Sequence, residues 1–148
     1  MGLLDAGPLL EARLAAYCPA AEGNIFSTAD LAGVKEARQV TPALHVVLHS
    51  FQPVADDGQS DSRWREIWLV IAVVKQVRQG TGARAVRYAA PELLRETIAA
   101  LDGWRCPGSI GPLRAIAPPA PLITEGFGYF PLAFANQVVT DGAIQQDL

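Results

Sequence analysis

The chain has 148 residues, which is the length of one domain and enough to bury roughly 70% of the surface that the unfolded chain exposes. Apolar residues make up 50% of it and the mean hydropathy is +0.18, a composition that excludes a disordered chain. Lys and Arg number 12 against 15 Asp and Glu, so the net charge of −3 argues against a nucleic-acid binder, which needs a basic stripe.

The sequence pattern also argues against a membrane protein. The longest purely apolar run, residues 67–74, is far shorter than the ~20 residues of a membrane-spanning helix. The start of the chain lacks the basic region and the long apolar stretch of a signal peptide. We therefore expect that the chain begins its life in a cytoplasm.

The first predicted element is an amphipathic helix over residues 3–17. Leu10, Leu14 and Tyr17 fall on one stripe, as expected where one face of a helix packs against a core. The Cys-Pro pair at residues 18–19 ends the helix, because the residue before a proline avoids the helical region.

A short strand at residues 24–26 and a turn or short helix at residues 27–37 precede a clearer strand at residues 42–51. On this strand His45 and His49 lie about 13 Å apart, at ~3.3 Å per residue, which is too far for them to bind one metal ion together. We expect two half-exposed histidines instead. The two faces of the strand carry Leu44, Val46 and Leu48 on one side, and His45, Val47, His49 and Phe51 on the other.

A long acidic loop over residues 52–62 separates this strand from the next. It contains Asp56, Asp57 and Asp61 together with a proline and a glycine, which predicts a β-hairpin with an acidic tip. Connections of this length in compact domains tend to be functional or disordered. Two adjacent Asp residues can bind a cation, but the sequence favours a solvated acidic turn.

The central predicted strand covers residues 63–77 and is rich in β-branched and aromatic side chains. Neither of its faces offers a polar residue between positions 67 and 74, so both faces need cover. We expect helices on one side, a loop layer or a second subunit on the other, and a single copy that cannot shield both. The faces are Ile67, Leu69, Ile71 and Val73, and Trp68, Val70, Ala72 and Val74.

Helical periodicity is clearest over residues 91–101, with Gly103 as a C-terminal cap and Trp104 as an anchor of the helix end. Residues 83–90 extend the same helix backwards if Pro91 lies at a kink, and belong to a separate segment if it does not. The sequence leaves both alternatives open. The predicted apolar stripe of the helix consists of Ala90, Leu94, Ile98 and Leu101.

The C-terminal third predicts a short strand at residues 113–116, a proline-rich break, and a long strand over residues 127–139. Pro131 cannot donate to a strand ladder, so we expect an edge position or a bulge there. Residues 141–148 are polar and predict a flexible tail. One face of the long strand carries Phe130, Leu132, Phe134 and Val138.

Together these elements predict one α+β domain over residues 1–148, an antiparallel sheet with two main helices packed on one face. The sequence contains no recognisable catalytic group, and no metal or other cofactor is implied. Cys18 and Cys106 are far apart and predict free thiols in a reducing compartment. The Gly-Thr-Gly at residues 80–82 is too short a match to a phosphate-binding loop to predict one.

The order of several short motifs resembles a known family. Thr-Pro-Ala-Leu at residues 41–44 opens a strand, an acidic turn follows, and Trp-Leu-Val-Ile-Ala-Val-Val at residues 68–74 forms the centre. Leu-Asp-Gly-Trp at residues 101–104 ends a helix, Gly-Pro-Leu follows at residues 111–113, and residues 126–134 begin the closing strand. Over residues 3–140 the chain resembles the tail terminator proteins of long-tailed bacteriophages, including those of Mu-like prophages.

The resemblance implies a structural virion protein and no enzyme. Tail terminators cap the head-proximal end of the tail tube, stop its polymerisation and form the surface that joins head and tail. The resemblance implies a ring, a hexamer in related proteins, and a location in the virion tail. Its partners would be further copies of itself, the tail tube protein and a head completion or neck protein. Genomic DNA would pass through the lumen without specific binding, which suits a mildly acidic protein.

Two stretches are candidate interfaces of such a ring: the acidic hairpin with Asp56, Asp57 and Asp61, and the C-terminal residues 138–148. Two other functions remain open. Another neck or tail-completion connector would share the same features, and a small α+β enzyme or ligand-binding domain is supported by the two histidines and the glycine turn alone. The candidate interface residues in the C-terminal stretch are Val138, Val139 and Ile144.

Overall fold

The computed structural model describes residues 3–36, 40–54, 62–75, 90–124 and 126–140. In chain order these ranges contain three α-helices, one 3₁₀ turn and six strands. The helices are α1 (Ala6–Tyr17), α2 (Leu31–Glu36) and α3 (Pro91–Leu101), and the 3₁₀ turn Pro19–Ala21 directly follows α1. The strands are β1 (Ile25–Ser27), β2 (Ala43–Pro53), β3 (Ser62–Lys75), β4 (Arg114–Ile116), β5 (Leu122–Ile123) and β6 (Phe127–Thr140).

The six strands form one sheet in the order β1-β2-β3-β6-β4, with β5 also paired to β6. All of these pairs are antiparallel except β1 and β2, which run parallel. The fold class is α+β, as predicted, but the sheet is mixed and not purely antiparallel. The parallel pair arises because α1 and the 3₁₀ turn return the chain to the edge of β2, and α2 then separates β1 from β2.

Strand β3 lies at the centre and is apolar on both faces, as the alternation predicts. Its residues from Ile67 to Val74 are buried in the single chain, none of them more than 8% exposed. The expectation that one copy cannot shield both faces is therefore wrong. Two clusters form, one around Trp68, Val70, Ala72 and Val74, and one around Ile67, Leu69, Ile71 and Val73.

The physical reason is that other parts of the same chain supply the cover. Both main helices contribute buried residues to the Trp68 cluster, among them Leu10 of α1 and Leu93 of α3. Among the described residues, α2 contributes Val34 to the Ile67 cluster, where it is 1% exposed. The apolar strand is thus an ordinary interior strand, and its composition does not by itself require a second subunit.

The two main helices depart from their predicted stripes in detail. Tyr17 at the end of α1 is 57% exposed and lies against the guanidinium of Arg13, so it does not share the buried face with Leu10 and Leu14. In α3 the predicted stripe holds at its ends, where Ala90 and Leu101 are buried. In the middle the buried face is displaced by one residue, because Ile98 is exposed and Thr97 is buried. The hydroxyl of Thr97 donates to the Leu93 carbonyl at 2.8 Å, which satisfies it inside the core.

The start of α3 shows where Pro91 lies in the helix. The helix begins at this proline, in the first turn where its missing N–H costs nothing, while residues 83–89 lie outside the described residues. At the other end Gly103 has a φ of +83°, as a helix-ending glycine should. Trp104 follows, half-buried, and its N–H donates to the Leu101 carbonyl at 3.0 Å, which confirms its predicted position at the corner.

Strand β2 contains a bulge that the sequence pattern does not reveal. The pairing with β3 shifts between Leu48 and Ser50, so His49 is the extra residue and stands exposed. Beyond the bulge Phe51 pairs with Glu66 and lies on the helix-covered face, opposite to the predicted face. The predicted faces hold only before the bulge, for residues 43–48.

His45 is buried, contrary to the expected half-exposure. It is 6% exposed, its Nδ1 forms a 2.8 Å hydrogen bond with the Thr28 hydroxyl, and the Phe26 ring packs against it at 5.2 Å. Burial lowers the pKa of His45 below its usual value, because the charged ring is poorly solvated there. The neutral imidazole therefore helps to hold β1 against β2.

Strand β6 corresponds to the long strand predicted from the sequence, and Pro131 occupies a special position in it. On one side β6 pairs with β3 along its whole length, with Pro131 opposite Ile71. On the other side β5 pairs with residues 128–129 and β4 with residues 133–135. Pro131 lies between these two short strands, where no described residue pairs with β6 on that side, so its missing N–H disrupts no ladder there.

We predict an acid sensitivity that comes from His45. Its folded-state pKa lies below the unfolded value near 6.5, so its contribution is complete above pH 6.5 and is lost as pH falls toward the lower folded pKa. Denaturant midpoints at pH 7.5 and 5.5 should differ less in His45→Gln than in the wild type. The exposed His49→Gln is the matched control and should keep the wild-type difference. An undiminished difference in His45→Gln would contradict this origin.

Candidate functional site

The described residues that flank the two predicted interface segments lie at one end of the sheet. Strand β2 ends there, β3 begins there and β6 ends there, with Ser62 paired to Thr140 and the Val54 N–H bonded to the Arg63 carbonyl at 2.8 Å. Val54 and Ser62, which flank the acidic loop, and Thr140, which precedes the C-terminal segment, therefore lie close together although they are far apart in sequence. Asp56, Asp57, Asp61 and Ile144 themselves lie outside the described residues.

The two described candidates of the C-terminal stretch lie on opposite faces of β6. Val138 is fully buried and pairs with Trp64, so its side chain already packs within its own chain. Val139 is half-buried and pairs with Arg63. Of the two, Val139 is the one with surface left for a neighbour.

An open groove of about 550 Å³ lies at the same end of the sheet. Its base crosses three neighbouring strands, since Arg65 of β3 pairs with Gln137 of β6, and Arg114 of β4 pairs with Ala135 of β6. It lies on the face of Ile67 and Leu69, the face away from α1 and α3. The residues that line it are Val54, Arg65, Gly111, Pro112, Arg114, Ile116, Ala135 and Gln137.

The charge of the groove is carried by two arginines. Neither the Arg65 nor the Arg114 guanidinium makes a hydrogen bond or ion pair with a described residue; the ion pair within the described ranges joins Arg95 and Glu92 on α3. None of the described residues that line the groove is acidic. The site is therefore a cationic, partly apolar recess at the surface.

On the opposite face of the same sheet end lies a buried carboxyl group. Glu66 is 0% exposed and accepts hydrogen bonds from the Leu4 N–H at 2.6 Å, the Trp68 indole at 2.9 Å and the Asn136 amide at 3.3 Å. These bonds tie the segment before α1 and strand β6 to the start of β3. Leu4 has a φ of +69°, a conformation that costs a non-glycine residue roughly 1–2 kcal/mol, and its N–H bond to Glu66 helps to hold it there.

The reactive side chains among the described residues form neither a metal site nor an activated nucleophile. No cluster of three or more His, Cys, Asp or Glu residues that could hold a metal occurs among them. Cys18 and Cys106 are both buried and free, and burial raises the pKa of each thiol, which disfavours the nucleophilic thiolate. In the described ranges no helix has the length and hydropathy required to span a bilayer.

Sequence reasoning missed the groove and the carboxyl cluster for different reasons. Arg65 and Arg114 are 49 positions apart in the chain and become neighbours only through the strand order β3-β6-β4. The buried carboxyl of Glu66 could have been considered from the sequence. A charged residue directly before an eight-residue apolar run on a central strand must be either at the surface or fully hydrogen-bonded.

We predict that Glu66→Gln destabilises the fold by about 1–3 kcal/mol, because the new amide N–H group must face either the Leu4 N–H or the Trp68 indole and leaves a buried donor unpaired. Denaturant unfolding followed by tryptophan fluorescence measures the change. Glu92→Gln on the surface of α3 removes the same charge and should cost less than about 1 kcal/mol. Equal effects of the two variants would show that the Glu66 hydrogen bonds contribute little.

Comparison with known proteins identifies the family of the chain. The family model described as "Phage tail terminator protein" matches residues 1–144, nearly the entire chain. A search of curated proteins finds no match. The family match agrees with the motif order noted in the sequence, and the chain belongs to the phage tail terminator family.

Proposed function

We propose that the protein caps the head-proximal end of a phage tail tube, stops polymerisation of the tube and forms the surface that joins tail and head. Membership of the family makes it a structural component of the phage tail. The observation that carries the finer proposal is the extent of the match, residues 1–144, which includes every described helix and strand. A match to one short motif would support the assignment of that part of the chain only.

We propose further that it acts as a ring, with six copies as the expected number. A ring requires a heterologous contact, in which one patch of each copy meets a different patch of the next. The end of the sheet supplies unlike surfaces close together: an arginine-bearing groove, the base of an acidic hairpin and the end of β6. Both faces of β3 are already buried, so assembly would use these surfaces and not the central strand.

The proposed partners follow from this role. They are other copies of the chain, the tail tube protein and a head completion or neck protein. Genomic DNA would pass through the lumen without specific contacts, and the net charge of −3 agrees with a surface that does not retain a polyanion. Assembly would take place in the host cytoplasm, and neither enzymatic activity nor a membrane contact is part of the proposal.

The direct test is polymerisation of the cognate tail tube protein with and without the purified protein. We predict shorter tubes as the protein is added, with a ring density at one end of each tube in negative-stain images. Tubes of unchanged length that carry no added density would contradict the terminator function. Rings that bind isolated heads and never bind tubes would favour the neck-connector alternative.

The acidic hairpin is tested within the same assay. Replacing Asp56, Asp57 and Asp61 by Asn keeps the length of the loop and removes its charge, whereas deletion of residues 56–61 removes both. We predict that both variants keep the wild-type circular dichroism spectrum and cap tubes at least about tenfold less efficiently, the size expected for loss of one or two charged contacts. Full capping by both would exclude the hairpin from the interface.

A further inference from the structure

The groove at the end of the sheet is open on the surface that the described residues form. Its volume of about 550 Å³ falls within the range of pockets that receive several side chains or a small ligand. Ile116 and Ala135 in its lining also pack against the buried Ile67 cluster, so the groove continues the core toward the surface. An occupant would extend that apolar packing.

The lining defines the chemistry of this occupant. Val54, Pro112 and Ile116 are apolar, and Arg65 and Arg114 carry the charge. The described lining contains no acid, and neither guanidinium has an ion-pair partner among the described residues. A cationic and apolar recess favours a segment that alternates acidic and apolar side chains. A basic or purely polar segment would leave the arginines unpaired or the apolar wall in contact with water.

We propose that the groove receives residues 141–148 of a second copy of this chain. This segment reads Asp-Gly-Ala-Ile-Gln-Gln-Asp-Leu, with two acids, two larger apolar side chains and no basic residue. Asp141 and Asp147 complement Arg65 and Arg114, while Ile144 and Leu148 complement the apolar wall. The inference rests on the proposed ring, because it supplies the heterologous contact that a ring needs.

A second copy is the favoured source for geometric reasons. The segment follows Thr140, which lies at the same end of the sheet as the groove, and the described residues leave the groove open. Eight residues span at most about 26–29 Å, enough to cross to an adjacent protomer. Groove and segment are different surfaces of one chain, so each copy can receive the segment of one neighbour and donate its own to the other.

The contact should depend on salt. Arg114 is exposed and Arg65 half-exposed, so their interactions with the aspartates are screened as ionic strength rises. We expect the protein concentration at half assembly to rise with added NaCl. The rise should be smaller in a variant that lacks both arginines, Arg65→Gln with Arg114→Gln.

Charge exchange between two chains tests the proposal. The groove variant carries Arg65→Glu and Arg114→Glu, and the tail variant carries Asp141→Lys and Asp147→Lys. Each variant alone places like charges at the contact, and we expect at least a tenfold higher concentration for half assembly, measured by native mass spectrometry and light scattering. An equimolar mixture restores both contacts, since each groove then meets a tail of opposite charge, and should assemble into rings of alternating composition.

Controls separate the possible failures. Arg95→Glu with Arg105→Glu makes the same change in net charge at exposed positions outside the groove and should assemble as the wild type does. Recovery in a single chain that carries all four exchanges, without recovery in the mixture, would show docking within one chain and overturn the proposal. Wild-type rings with an unaffected groove variant would overturn the groove contact alone. A wild-type protein that never forms rings would overturn the proposed ring as well.

Discussion

Strand β3 has to bury apolar side chains on both of its faces, and this requirement arranges most of the chain. Its neighbours β2 and β6 satisfy its backbone hydrogen bonds on both sides. Residues of α1 and α3 pack with the Trp68 face, and Val34 of α2 with the Ile67 face. A fully buried Val, Leu or Ile side chain contributes about 1.5–3 kcal/mol, so exposing the four residues of the Ile67 face would cost about as much as the net stability of a typical domain.

The properties of β3 change abruptly where its apolar run begins. Glu66 and Arg65 are consecutive residues and therefore point to opposite faces of the sheet. Glu66 is buried under the start of the chain with three N–H donors around its carboxyl group, which fixes the N-terminal segment and β6 to the sheet. Arg65 lines the open groove on the other face. The same sheet end is thus rigid on one side and available for contacts on the other, a useful combination for a protein that assembles through a defined surface.

The sequence predicted those features that depend on local pattern. The strand character of residues 67–74, the hairpin with β2, the helix from Pro91 to Leu101 and the left-handed Gly103 all follow from residue type and spacing. The middle of the α3 stripe was predicted one residue away from its true position, because periodicity counts Thr97 as polar, whereas its hydroxyl is hydrogen-bonded within the helix. The residues of β2 after His49 lie on the faces opposite to those predicted, because a bulge at His49 shifts the pairing with β3. No residue type in the sequence indicates this bulge.

The features that depend on the tertiary arrangement could not be predicted from the sequence pattern. The groove combines residues of β3, β4 and β6 with Val54, and no spacing rule links them. The predicted need for a second subunit over β3 failed, because a strand that is apolar on both faces looks the same whether its cover comes from its own chain or from a partner. The functional conclusion therefore depends on the family match and on the surfaces at the end of the sheet.

The central claim is that each chain shields β3 by itself and assembles through the end of its sheet. Hydrogen–deuterium exchange on dilute single chains and on assembled protein tests this most directly. We predict that residues 67–74 are equally protected in both states, and that assembly adds protection at residues 110–116 and 135–140. Fast exchange of residues 67–74 in single chains, with protection gained only on assembly, would contradict it.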